Sequence, residues 1–131
     1  MSKLDQFIEK TKAYVVTDLE EKLLRERYKS VVIPCMKKIE DGLKSVEGFD
    51  YHINVGDLIS KLEIHDKNFA IMINSSENSL VINATDTDNR FVELDRIILK
   101  DENLFSTKRE QLFTEDILVD YLNETFEGII G

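Results

Sequence analysis

The sequence has no tryptophan, one cysteine, one proline and only five glycines in 131 residues. With Cys35 as the single thiol, no intramolecular disulfide can form, so the fold must rest on an apolar core in a reducing compartment. The glycines are Gly42, Gly48, Gly56, Gly128 and Gly131, and they complete neither a GxGxxG nor a Walker phosphate loop. No apolar run approaches the roughly 20 residues of a membrane-spanning helix. The opening Met1-Ser2-Lys3-Leu4-Asp5 is not a basic start to an apolar segment, and Asp5 and Glu9 speak against a transit peptide. A cytoplasmic protein is therefore expected, with no membrane association.

What is present is charge, mostly acidic. Charged residues make up 33% of the chain, hydrophobic residues 42%, and the formal net charge is −9. Residues 1–48 hold ten Lys/Arg and nine Asp/Glu, while residues 49–131 hold seven and 17. The acidic later part repels phosphate backbones, and no basic cluster with interleaved aromatics offsets it, which argues against nucleic-acid binding. A basic protein or peptide partner is compatible with it. The length fits one domain over residues 1–131, enough to bury about two-thirds of the unfolded surface. Frequent Ile, Lys and Asn suggest an AT-rich, bacterial genome.

Residues 2–48 predict helix. Ser2 is placed to cap the first turn, with Asp5 near the positive helix end. Leu4, Phe7, Ile8, Tyr14, Val15, Leu19 and Leu23 recur at helical spacing, as for one buried face. Asp18–Lys22 and Glu21–Arg25 are i,i+4 pairs with the acid first, and Arg25-Glu26-Arg27 reads as a solvated stretch. The pattern resumes as Tyr28, Val32, Cys35, Met36, Ile39, Leu43 and Val46, with Pro34 interrupting it. A proline inside a helix loses one hydrogen bond and clashes with the preceding turn, at about 3 kcal/mol. The helix must kink over residues 30–34, or break there with Ser30 capping a second segment. Gly48 is the expected stop.

From residue 49 the period becomes two. Phe49, Tyr51, Ile53 and Val55 alternate with polar residues, as do Leu62 and Ile64, then Phe69, Ile71 and Ile73. Leu80–Thr85 and Phe91–Leu99 predict two further strands. Gly56-Asp57, Asp66-Lys67-Asn68, residues 75–79 and Asp86–Asn89 are the connections, short enough to permit only antiparallel neighbours. Residues 100–113 are ambiguous: Asp101-Glu102-Asn103 reads as a turn, and Thr107 with Glu110 has capping-box spacing for a helical turn. A closing helix then starts at Thr114, with Glu115 and Asp116 in its first turn. Ile117, Leu118, Tyr121, Leu122, Phe126, Ile129 and Ile130 form its stripe, and Phe113 and Leu118 are placed for a hydrophobic staple.

The expected architecture is α+β: a long, kinked or broken N-terminal helix, an antiparallel meander of about five strands, and a C-terminal helix on the same sheet face. The order suggests cystatin-like or similar helix-gripping sheets, a likeness of architecture that carries no function. A straight helix over residues 2–29 would be about 42 Å long, whereas five strands span only about 20–25 Å. The helix should therefore fold back at Ser30–Pro34 or overhang its sheet and meet another chain. Leu24 and Tyr28 are the expected contact residues, in a homodimer or against a protein partner.

Sites with chemical potential are few. Cys35 beside Met36 reads as a small core residue, since a nucleophile would need a base and only His52 and His65 are histidines. Those histidines fall on polar positions of neighbouring strands, but a catalytic metal takes three protein ligands, and a third has to be assumed. Asp86-Thr87-Asp88-Asn89 superficially resembles a calcium loop, yet Arg90, Phe91 and Ile97 stand where an acid or amide, a glycine and a glutamate are needed. Glu93 and Asp95 share one face of a candidate strand, opposite Arg96, but the aromatic-lined cleft of a sugar hydrolase is missing.

The expected role is thus a non-enzymatic protein-interaction module of the chaperone, immunity or regulator kind, without metal or cofactor. One rival is a small-ligand or catalytic pocket between helix and sheet, with Tyr51, His52 and Asn54 at its mouth. Another is a structural subunit of a larger assembly.

Overall fold

The computed structural model describes residues 2–44 and 51–130, with side chains described outside 13–18 and 128–130. Helix α1 spans Lys3–Arg27, and Ser2 caps it as expected: its Oγ accepts the Asp5 N–H at 3.1 Å. The helical path neither breaks nor stops at Pro34. It passes through a π-helical turn at Tyr28–Val32 into α2, Ile33–Leu43. The Ile33 N–H reaches back to the Tyr28 carbonyl, a five-residue step. Widening the turn ahead of Pro34 gives its ring room where a regular helix would meet a carbonyl. Ser30 Oγ donates to the Arg27 carbonyl at 3.1 Å, so Ser30 caps no second segment. The wide turn also keeps Leu24, Tyr28, Val32 and Met36 on one side, each fully buried. Val46, Gly48 and Phe49, expected in the helix, its stop and the first strand, lie outside the described residues.

The sheet has seven strands in simple sequence order, all antiparallel: β1 Tyr51–Val55, β2 Ile59–Ile64, β3 Lys67–Asn74, β4 Ser79–Thr85, β5 Phe91–Lys100, β6 Asn103–Ser106 and β7 Gln111–Leu112. The count exceeds the expected five because β6 and β7 occupy the ambiguous stretch. Asp101 and Glu102 do form a turn, with φ of 50° and 66°, joining Lys100 to its partner Asn103. Two successive positive φ values define a tight hairpin turn whose twist suits the strands, but its usual sequence is Asn-Gly. Thr107 to Glu110 is a turn rather than a helical one: Thr107 Oγ1 donates to the Arg96 carbonyl at 2.7 Å, and Glu110 has φ 54°.

Helix α3, Glu115–Ile130, starts where Thr114 supplies the first carbonyl, to the Leu118 N–H at 3.1 Å. Ile117, Leu118, Tyr121, Leu122 and Phe126 are buried, and Phe113 and Leu118 share the core, as a staple requires. The side chains of Ile129 and Ile130 lie outside the described residues. All helices cover one sheet face, lined by Leu62, Phe69, Ile71, Leu80, Ile82 and Ile97. Two tyrosines tie the helices to that face: Tyr28 to Ser60 on β2, and Tyr121 to Asp95 on β5. Among the described residues, no helix is long and apolar enough to cross a membrane.

Candidate functional site

The outer half of α1 has no sheet beneath it. Every residue from Ser2 to Lys12 is exposed, including Leu4 at 66%, Phe7 at 65% and Ile8 at 39%. Further along, Leu19 is 58% exposed while Leu24 is 0% exposed. Those two residues are five apart, about 140° round a helix. The helix therefore carries two apolar faces, where the periodicity suggested one. The Leu24–Tyr28 face enters the core. The Leu4–Ile8–Leu19 face looks outward. The expected contact residues Leu24 and Tyr28 are both fully buried in this chain's own core, so the apolar surface left open lies nearer the N-terminus. Tyr14, Val15 and Asp18 belong to the same helix, but their side chains are outside the described set.

A groove adjoins this outward face. It has a volume of about 500 Å³ between Leu19 and Leu23 of α1, Ile98 and Leu99 of β5, and a rim of Glu20, Glu77, Asp101 and Glu102. Three links hold α1 along it. Arg27 Nε donates to the Glu102 carbonyl at 2.9 Å, Asn78 Nδ2 to Glu20 at 3.3 Å, and the Glu21 carboxylate is held below its usual range by Arg25 first and Ser75 second. Arg96 pairs with Glu77 on the outer rim. The left-handed Asn78 places its Oδ1 in the groove wall, buried and without a hydrogen-bond partner.

A second cluster is buried under α3. Asp95 is 3% exposed on the helix-facing side of the sheet. Its Oδ2 accepts the Tyr121 hydroxyl at 2.7 Å and the Ser106 hydroxyl, and its Oδ1 accepts the N–H groups of Arg96 at 2.7 Å and Lys108 at 3.1 Å. Ser106 in turn accepts the Arg109 N–H at 3.0 Å, and the Arg109 guanidinium stacks 4.3 Å from the Tyr121 ring centre. Burial first, then Asp95, push the Tyr121 hydroxyl above its ordinary pKa. The Ser106 hydroxyl is one of four donors to this carboxylate, and together they tie β5, β6 and α3 at one corner. Glu93 and Asp95 do not share a face. A register shift between Ile82 and Asn83 pairs Asp95 with inward Ile82 and Glu93 with Asn83, leaving Glu93 to bond Arg96 at 3.0 Å.

The other weighed residues separate. His52 stands opposite Glu63, and His65 occupies the β2–β3 turn at φ 53°. His52 and Asn54 are exposed on the sheet face away from the helices, and the Tyr51 hydroxyl donates to the Leu43 carbonyl at 2.8 Å. Among the described residues, no three His, Cys, Asp or Glu side chains converge to hold a metal. Cys35 is buried, and burial followed by Glu115 raises its thiol pKa. Asp86 closes its turn by accepting the N–H groups of Asp88 and Arg90, each at 2.9 Å. A further cavity of about 530 Å³ lies between Lys67, Asp86, Leu94 and Glu124, but Lys67 Nζ is already bound to the Asp86 carbonyl and Asn89 Oδ1.

The fold is thus an α+β protein in which a helical arm and a closing helix cover one face of a seven-stranded antiparallel meander. Residues 4–130 match the family described as protein of unknown function (DUF3942), and the chain belongs to it. No curated protein and no solved structure matches the chain.

Proposed function

We propose that this chain is a non-enzymatic protein-interaction module whose contact surface is the outer half of α1. The observation that carries this is the exposure of Leu4, Ile8 and Leu19 on one helix face, with Phe7 exposed beside Leu4. An amphipathic helix offers its apolar side to a partner through anchors at i, i+3, i+4 spacing, the spacing of Leu4, Phe7 and Ile8. Exposed apolar side chains grouped on a helix of a charged protein are the kind of surface that interaction sites use. Support for the non-enzymatic part is the engagement of Cys35 in the core and of Ser106 and Tyr121 on Asp95. The test is a photo-cross-linking residue placed at Phe7 in living cells, with Asn54 on the far sheet face as the control position. Discrete covalent adducts are expected from position 7 and not from position 54. No adduct from position 7 would overturn the proposal.

A further inference from the structure

We infer that the occupant of this surface is a second copy of the chain, paired antiparallel along α1 about a two-fold axis between residues 13 and 14. This rests on the contact-surface reading above and names its partner. Three observations carry it. First, two pairs of apolar residues on α1 are symmetric about that axis, although Phe7 falls opposite Glu20. An antiparallel pair centred there sets Leu4 opposite the second copy's Leu23, and Ile8 opposite its Leu19. Each contact then occurs twice, as an isologous interface demands.

Second, the charges oppose. Residues 3–12 carry Lys3, Lys10 and Lys12 against Asp5 and Glu9, a net +1, while residues 13–23 carry Asp18, Glu20 and Glu21 against Lys22, a net −2. Antiparallel pairing brings the positive half onto the negative half, whereas a parallel pair would set like against like. The rest of the molecule favours the same place. Two chains of charge −9 repel through their acidic residues 49–131, and this near-neutral arm is where they can approach.

Third, the geometry supplies a receptor. The first two turns of one copy arrive at Leu19 and Leu23 of the other, beside the groove of about 500 Å³. Its apolar floor of Leu19, Leu23, Ile98 and Leu99 suits Leu4 and Phe7, and its acidic rim suits Lys3.

The arrangement is tested by oxidative cross-linking of Ile8→Cys/Leu19→Cys, two exposed positions whose change leaves the core untouched. The wild-type chain, with its buried Cys35, is the blank. Within one chain the two new thiols are about 16 Å apart along the helix, too far for an internal disulfide. The double variant is expected to form a covalent dimer, and Ile8→Cys alone is expected to stay uncoupled. Self-coupling of Ile8→Cys would mean a parallel pair and would overturn the inference, as would failure of the double variant to couple. The position-7 photo-adducts separate the two proposals. An adduct with a different protein sinks the second copy and leaves the interaction module standing, while no adduct sinks both.

Discussion

The Tyr28 hydroxyl lies 2.6 Å from Ser60 Oγ, joining the π-helical turn to the second strand across 32 residues of sequence. Both residues are 0% exposed. The bond fixes where the helical arm crosses the sheet, and hence which face of α1 turns outward.

Removing that hydroxyl should be costly. Tyr28→Phe strands the Ser60 hydroxyl in the core, for which about 1–3 kcal/mol of stability is the expected loss. Ser60→Ala alone should cost a similar amount by stranding the tyrosine hydroxyl. The double variant should lose less than the two single losses added together, because residues in contact are not independent. Urea midpoints at unchanged slope measure all three, and strict additivity would show that the bond contributes nothing.

Asp86 gives a pH signature. The Arg90 N–H first, and the Asp88 N–H after it, hold its carboxyl below the ordinary range. A carboxylate with a depressed folded-state pKa adds stability that is complete above its unfolded value of about 3.9. That stability fades as pH falls through the lower folded value. Asp86→Asn keeps an oxygen acceptor but not the charge, so it should be less stable than wild type at neutral pH. The gap should close in acid below the ordinary carboxylate range. A gap that is constant with pH would mean the charge is irrelevant to this turn.

The β5–β6 hairpin can be improved. Asp101 and Glu102 both hold positive φ, which costs a residue with a side chain about 1–2 kcal/mol. Asp101→Asn with Glu102→Gly supplies the sequence this turn prefers. Glycine's extra unfolded freedom takes back about 0.5–1 kcal/mol, leaving a net gain of the same order. The Arg27 bond survives, since it uses the Glu102 carbonyl. A lower thermal midpoint for the variant would contradict this account of the turn.

Cys35 should be inert in the folded protein. Its thiol is buried, and burial holds it in the protonated form, the poorer nucleophile. Labelling by a small thiol reagent should be slow in buffer and fast in denaturant. Rapid labelling of the native chain would reopen a reactive role.

These particulars show what the sequence made legible. The closing helix was readable because Thr114, its acidic first turn and the stripe from Ile117 to Phe126 all agree. The first three strands were readable from their alternation, and the next two from the turn residues that bound them. Strand β6 was hidden because its turn is Asp-Glu and not Asn-Gly, and β7 because two residues carry no period. The partner of Asp95 was hidden because one extra residue in β5 reverses the alternation, so inward and outward acids look alike in sequence. The outward stripe was visible as apolar residues, but not as a second face. Leu19 and Leu24 both satisfy a helical period, and only the end of the sheet decides which one is covered.

The most direct measurement is the absolute mass in solution, by light scattering across a wide concentration range, for wild type and Phe7→Asp. Wild type should approach about 30 kDa, twice the 15.2 kDa chain, and Phe7→Asp should remain at the single-chain mass while folding normally. A wild-type mass of 15.2 kDa at every concentration would contradict the paired helical arm.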